Sequence, residues 1–198
     1  MGRNVKEQWR IFEVPSKSGV ARELLPEGDD QGVPTWAPDG KSLIFGDRLG
    51  RKPRPEMSIH VLNLSTRKLT DLAESKGLWS PRWSPDGRYI AAITSDSKAI
   101  RIAPAQGGPW RELVKMNFVD NATWSPDSRY IYFNANDEIN HRWLLRLTIP
   151  GGKLERLADL ADFTDGIEGW YGVGPGDVPL AFHGVAVQEI YRLQCILP

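Results

Sequence analysis

Three near-copies of one phrase run through this chain of 198 residues: Pro34-Thr-Trp-Ala-Pro-Asp-Gly-Lys41, Pro81-Arg-Trp-Ser-Pro-Asp-Gly-Arg88 and Ala122-Thr-Trp-Ser-Pro-Asp-Ser-Arg129. A short apolar run follows each: Ser42–Phe45, Tyr89–Ile93 and Tyr130–Phe133. Trp36, Trp83 and Trp124 stand 47 and 41 residues apart, and Trp170 follows after 46 more. Self-similarity at such a period, in units rich in strand-forming residues, predicts a β-propeller. The fold leaves the job open, because function resides in a site and not in an architecture.

The middle unit shows how one blade is written. Trp83 ends a first strand. Ser84–Gly87 is a tight turn: proline presets φ, aspartate bonds the backbone two residues on, and glycine accepts the left-handed region. Tyr89–Ile93, Ala99–Ala103 and Trp110–Val114 then read as second, third and fourth strands, separated by the loop Ser95–Lys98 and the turn Ala105–Gly108. The flanking units repeat this order. In the third unit Ser128 replaces the turn glycine, at some cost in turn preference.

The expected fold is therefore all-β: four-stranded antiparallel blades over about 33–73, 78–115 and 119–158, in a single array over residues 1–198. A partial blade is expected over 8–25, its strands over 8–14 and 19–25 reading as third and fourth. An incomplete blade is expected over about 164–196, with strands over 167–173, 178–182 and 189–193. A fourth strand from the other end of the domain is a common way to close such a ring, because an unpaired edge invites aggregation. Two chains completing one ring would serve equally, so self-association is an expected partner mode.

The phrase Trp-Ser-Pro-Asp-Gly-Arg-Tyr-Ile-Ala, seen three times at matching spacing, resembles the TolB-like, WD-repeat-like propeller units of bacterial proteins. Departures are Ala37 for serine, Ser128 for glycine, and no Pro-Asp-Gly turn after Trp170. The resemblance implies a ring of about six to eight blades acting in protein interaction. The closing segment, Pro179–Phe182 and Gln188–Leu193, is similar to the ends of sensor propellers in bacterial regulators. On that likeness the chain is expected to be the C-terminal part of a larger sensor or regulator propeller. The alternative is the gating propeller of a prolyl-oligopeptidase-type serine peptidase, without its hydrolase domain.

Other chemistries find little support. Basic and acidic residues balance at 25 each, so charge indicates no nucleic-acid partner. No apolar stretch approaches a membrane span, and Met1–Arg10 does not read as a signal peptide. The expected location is cytoplasmic by default, or periplasmic for the tail of an envelope protein. Gly40-Lys41-Ser42 lacks the leading glycine of a phosphate loop, since Thr35 stands there. Gly172–Gly176 contains proline and precedes no helical pattern. His60, His141 and His183 are scattered, and Cys195 is the lone cysteine, so neither metal nor cofactor is expected. No nucleophile elbow occurs, and the chain reads as non-enzymatic.

Asp39, Asp86 and Asp127, each three residues after its tryptophan, read as turn residues rather than ligands. Trp36, Trp83 and Trp124 read as inter-blade packing. Each would bury on the order of 150–250 Å², an upper bound of roughly 4–6 kcal/mol. The candidate binding surface is the rim where second-to-third-strand loops gather, because loops on a rigid scaffold carry function. It comprises Arg48, Arg51, Lys52 and Arg54 from a basic loop, Asp96 from the next blade, and Asp137 and His141 from the third. A protein or peptide partner is expected there.

Overall fold

The computed structural model describes residues 9–25, 31–48, 53–161 and 172–180. Three four-stranded antiparallel sheets follow one another. The first holds β3 (Gln31–Trp36), β4 (Ser42–Asp47), β5 (Ile59–Asn63) and β6 (Leu69–Asp71), in that spatial order. The second holds β7 (Leu78–Trp83), β8 (Tyr89–Thr94), β9 (Ala99–Pro104) and β10 (Arg111–Lys115). The third holds β11 (Phe118–Trp124), β12 (Tyr130–Asn136), β13 (Arg142–Thr148) and β14 (Leu154–Asp159). Two-stranded sheets flank them: β1 (Phe12–Glu13) with β2 (Arg22–Glu23), and β15 (Gly172–Gly174) with β16 (Val178–Leu180). This is an all-β propeller arrangement, and the three full sheets are called blades A, B and C below.

The apolar cores lie between blades, which is why the repeat must recur to be stable. Ile44 and Ile59 of blade A meet Leu78, Ile90 and Ala92 of blade B. Ile93, Ile100 and Ile102 of blade B meet Val119, Trp124, Ile131 and Phe133 of blade C. Ile11 and Leu24 beside β1 and β2 pack on Leu43, Phe45 and Leu62 of blade A. Val173 of β15 touches the cluster of Tyr132, Leu144 and Leu160.

Three elements differ from their sequence reading. β1 and β2 pair over two residues each, shorter than expected, because side-chain bonds replace part of the ladder. Buried Gln31 accepts from the Ile11 N–H at 2.8 Å and donates to the Leu25 carbonyl at 3.0 Å. The outer strand of blade B begins at Arg111, not Trp110. Trp110 turns instead toward blade A, and its Nε1 donates to the Ala73 carbonyl at 3.2 Å. At the far end, β15 and β16 overlap the expected strands over 167–173 and 178–182; the remainder of both, and the expected strand over 189–193, lie outside the described residues.

The inner strand of each of blades A, B and C carries a bulge that the sequence reading missed. The register slips between Gly32 and Thr35, between Trp79 and Arg82, and between Asp120 and Thr123. Val33, Ser80 and Asn121 there have φ of 41°, 50° and 54°. Pro34 and Pro81 follow two of these residues, and proline inside a strand is itself a bulge signal.

Candidate functional site

The Trp-Ser-Pro-Asp-Gly phrase builds a closed hydrogen-bond unit. In blade B, Ser84 Oγ accepts from the Tyr89 N–H at 2.9 Å and donates to Asp86 Oδ1 at 2.7 Å. Asp86 also accepts from the Arg88 N–H and guanidinium. Ser125, Asp127, Arg129 and Tyr130 repeat the set in blade C. The Arg129 N–H, the Ser125 hydroxyl and the Arg129 guanidinium together hold the Asp127 carboxyl down to about 2. For Asp86 burial opposes ionisation, yet the Arg88 N–H, Ser84 and the Arg88 guanidinium outweigh it and lower its pKa. In blade A, Ala37 stands in the serine's place, and Asp39 keeps the bond from the Lys41 N–H at 2.9 Å.

Ser128, read as a cost, also brings a gain. It sits at φ 62°, and its hydroxyl accepts from the Asp86 N–H of the preceding blade at 3.0 Å. A glycine there would lose this inter-blade bond.

The three tryptophans diverge. Trp124 is 7% exposed within the core between blades B and C, and its Nε1 donates to the Arg82 carbonyl at 3.0 Å. Trp83 is half-buried against the core between blades A and B. Trp36 is 51% exposed, contrary to the packing role read for it. The reason is positional. Trp124 leans on the inner strand of the blade before it, whereas among the described residues the sheet before blade A holds the pair that the sequence reading took as third and fourth strands.

The rim residues are brought together in pairs. Arg54 donates to the Ser95 carbonyl at 2.6 Å, joining the loops of blades A and B. Arg48 stacks on Trp9, 4.2 Å from the ring centre. Arg51 and Lys52 lie outside the described residues. Asp96 accepts from Thr94 Oγ1 at 2.6 Å and from the Lys98 N–H at 3.1 Å, which shapes its own loop. Asp137 organises the loop before β13: its carboxylate accepts from the Ile139 and His141 N–H groups and from Trp143 Nε1 at 3.0 Å. His141 bonds Asp159 at 2.7 Å and stacks on Trp143. Several rim residues are thus loop-builders rather than free hands.

Between the loops of blades B and C lies an open groove of about 960 Å³, lined by residues that include Lys98, Lys115, Asp137, Ile139, Leu154 and Arg156. Of the described rim residues named from the sequence, Asp137 lines it. Lys98 and Ile139 lie within the loops 95–98 and 134–142 read as part of that rim, though neither was singled out; Lys115 was missed, because a groove wall is made by neighbouring blades and has no sequence period of its own.

A second cluster was missed too. His60 is held between Asp47, at 3.2 Å, and Asp71, at 2.8 Å, with the Phe45 ring against it. Burial lowers its pKa, but the bonds to Asp47 and Asp71 outweigh this and raise it. The strand register places His60 opposite Asp71, a pairing that no spacing rule reveals. Among the described residues no three His, Cys, Asp or Glu side chains are gathered as metal ligands. Among them, too, no helix is long and apolar enough to cross a membrane.

No protein-family model matches this chain, and no curated protein matches it. Solved structures do. TolB from Acinetobacter baumannii matches with a TM-score of 0.65 and 21% identity, over 76% of this chain and 38% of that one. A chain of a nidogen/laminin complex matches with 0.62 and 17%, over 84% and 62%. A prolyl endopeptidase matches with 0.54 and 17%, over 76% and 26%. These likenesses establish the fold as a TolB-like β-propeller. The chain spans less than two thirds of each of these chains.

Proposed function

We propose that this chain is a non-catalytic binding scaffold, a stretch of a larger TolB-like propeller that takes a protein or peptide on its rim. The groove between blades B and C carries this reading. It sits on a rigid inter-blade core, and its walls are loops fixed by Asp96 and Asp137. Binding residues on fixed loops over a stiff frame are the usual economy of such folds. The exposed Trp36 supports the larger ring, since in blade C the equivalent side chain is covered by a neighbouring inner strand. The modest share of TolB that the chain spans supports it as well. The larger protein is read as a bacterial sensor or regulator.

The test is site-specific photocrosslinking in cells that make the protein. A photoreactive residue is placed at Ile139 on this rim or at Gln106 on the opposite one. Discrete protein adducts from position 139 and none from 106 support the reading. Adducts from neither position, or equally from both, would overturn it.

A further inference from the structure

We propose that the groove between blades B and C receives an extended segment of a protein partner in which acidic and apolar side chains alternate. This inference rests on the scaffold reading and gives the rim a ligand chemistry. The two walls differ. On blade B, Lys115 pairs with Ala99, and the Met116 N–H bonds the Lys98 carbonyl at 2.8 Å, so Lys98 and Lys115 stand together. Both are exposed; Lys98 shares its loop with Asp96, whose ionised form it favours, and Lys115 stands beside it on the same wall. Arg156, on the other side, is already engaged. It stacks on Trp143 at 4.7 Å and approaches Asp137 at 4.0 Å.

The blade C wall carries two exposed apolar side chains beside Glu138 and the Asp137–Arg156 pair. Ile139 is 84% exposed at a loop tip, and Leu154 is 41% exposed on β14. The Ile139 tip is not a loose end, because Asp137 bonds the backbone on both sides of it. Glu138 beside it repels acids from this wall. Two lysines on one wall therefore face the exposed apolar side chains of Ile139 and Leu154 on the other, where Asp137 and Arg156 are engaged with each other. An extended chain points successive side chains to opposite sides, so alternating acidic and apolar residues meet both walls at once. β10 and β14 are the outermost strands of their sheets, and a free strand edge is where an extended peptide adds backbone bonds.

The probes are three end-capped fluorescent octapeptides: alternating Glu and Leu, the block isomer with all Glu before all Leu, and alternating Lys and Leu. Binding to the whole chain is read by fluorescence anisotropy. The alternating acidic peptide is expected to bind about tenfold tighter than either control and to weaken as salt rises. Lys98→Glu with Lys115→Glu should weaken it about tenfold, and Ile139→Asp should do likewise, with unchanged melting temperatures. Equal affinity for the block isomer would overturn the proposal. So would indifference to the lysine reversals, or no binding at all. Were crosslinking at position 139 to succeed while the peptides failed, the alternation would fall and the scaffold reading would stand.

Discussion

Trp36 and Trp124 end equivalent inner strands within nearly the same phrase, yet one is 51% exposed and the other 7%. The turns after them differ as well. Ser125 closes a hydrogen-bond unit with Asp127 and the Tyr130 N–H, whereas Ala37 leaves the corresponding unit with Asp39 alone. A repeated residue therefore has no fixed worth. Its contribution depends on what its neighbouring blade and its own turn offer it, and the Trp36 end of the array is the less consolidated one.

The largest effect should come from breaking the tryptophan contrast. Trp124→Ala is expected to cost about 3–5 kcal/mol, since it empties a packed core and removes the bond to the Arg82 carbonyl. Trp36→Ala should cost under about 1 kcal/mol. Denaturant unfolding of the two variants checks both, and similar costs would erase the distinction. Trp83→Ala, half-buried, should fall between them.

The turn contrast is the next in size. Ser125→Ala removes the acceptor of a part-buried N–H and is expected to cost about 1–2 kcal/mol. Ala37→Ser installs the missing hydroxyl and should add up to about 1 kcal/mol. A serine at position 37 that left stability unchanged would mean that blade A's turn is held by something else.

Two pH effects are smaller. Asp127, with its pKa depressed to about 2, contributes stability that is present above its unfolded value, near 3.9, and lost as pH falls toward 2. Wild type should therefore exceed Asp127→Asn in melting temperature at pH 6, and the gap should close over that acid window. His60 has a raised pKa, so its sign is opposite. Its contribution is full below the unfolded value, near 6.5, and is lost as pH rises through the folded value. The advantage of wild type over His60→Asn should shrink from pH 6 toward pH 9. A gap that stayed constant would deny the pairing with Asp47 and Asp71.

Much of the architecture was legible because a blade is a local object. The spacing of Trp36, Trp83 and Trp124 and the Pro-Asp-Gly turns expose its period and its first hairpin directly. What sequence reading missed depends on contacts between strands or blades. The left-handed Val33, Ser80 and Asn121 serve a register slip, and only Pro34 and Pro81 betray it. Ser128 looks like a worse glycine until the Asp86 N–H is found beside it. Of the candidate site, Asp137 was named, though as a ligand-facing acid; it turns out to brace the loop. Lys98 fell within the rim loop 95–98 without being singled out, and Lys115 was passed over because a solvated lysine is common and carries no pattern.

The most direct test of the account is tryptophan oxidation of the folded chain by N-bromosuccinimide, read site by site by peptide mass spectrometry. The account predicts that Trp36 is modified early while Trp124 stays protected until the protein unfolds. Equal protection of the two would show that the face of blade A is already covered, contradicting the exposure of Trp36 and the proposal of a longer array built on it.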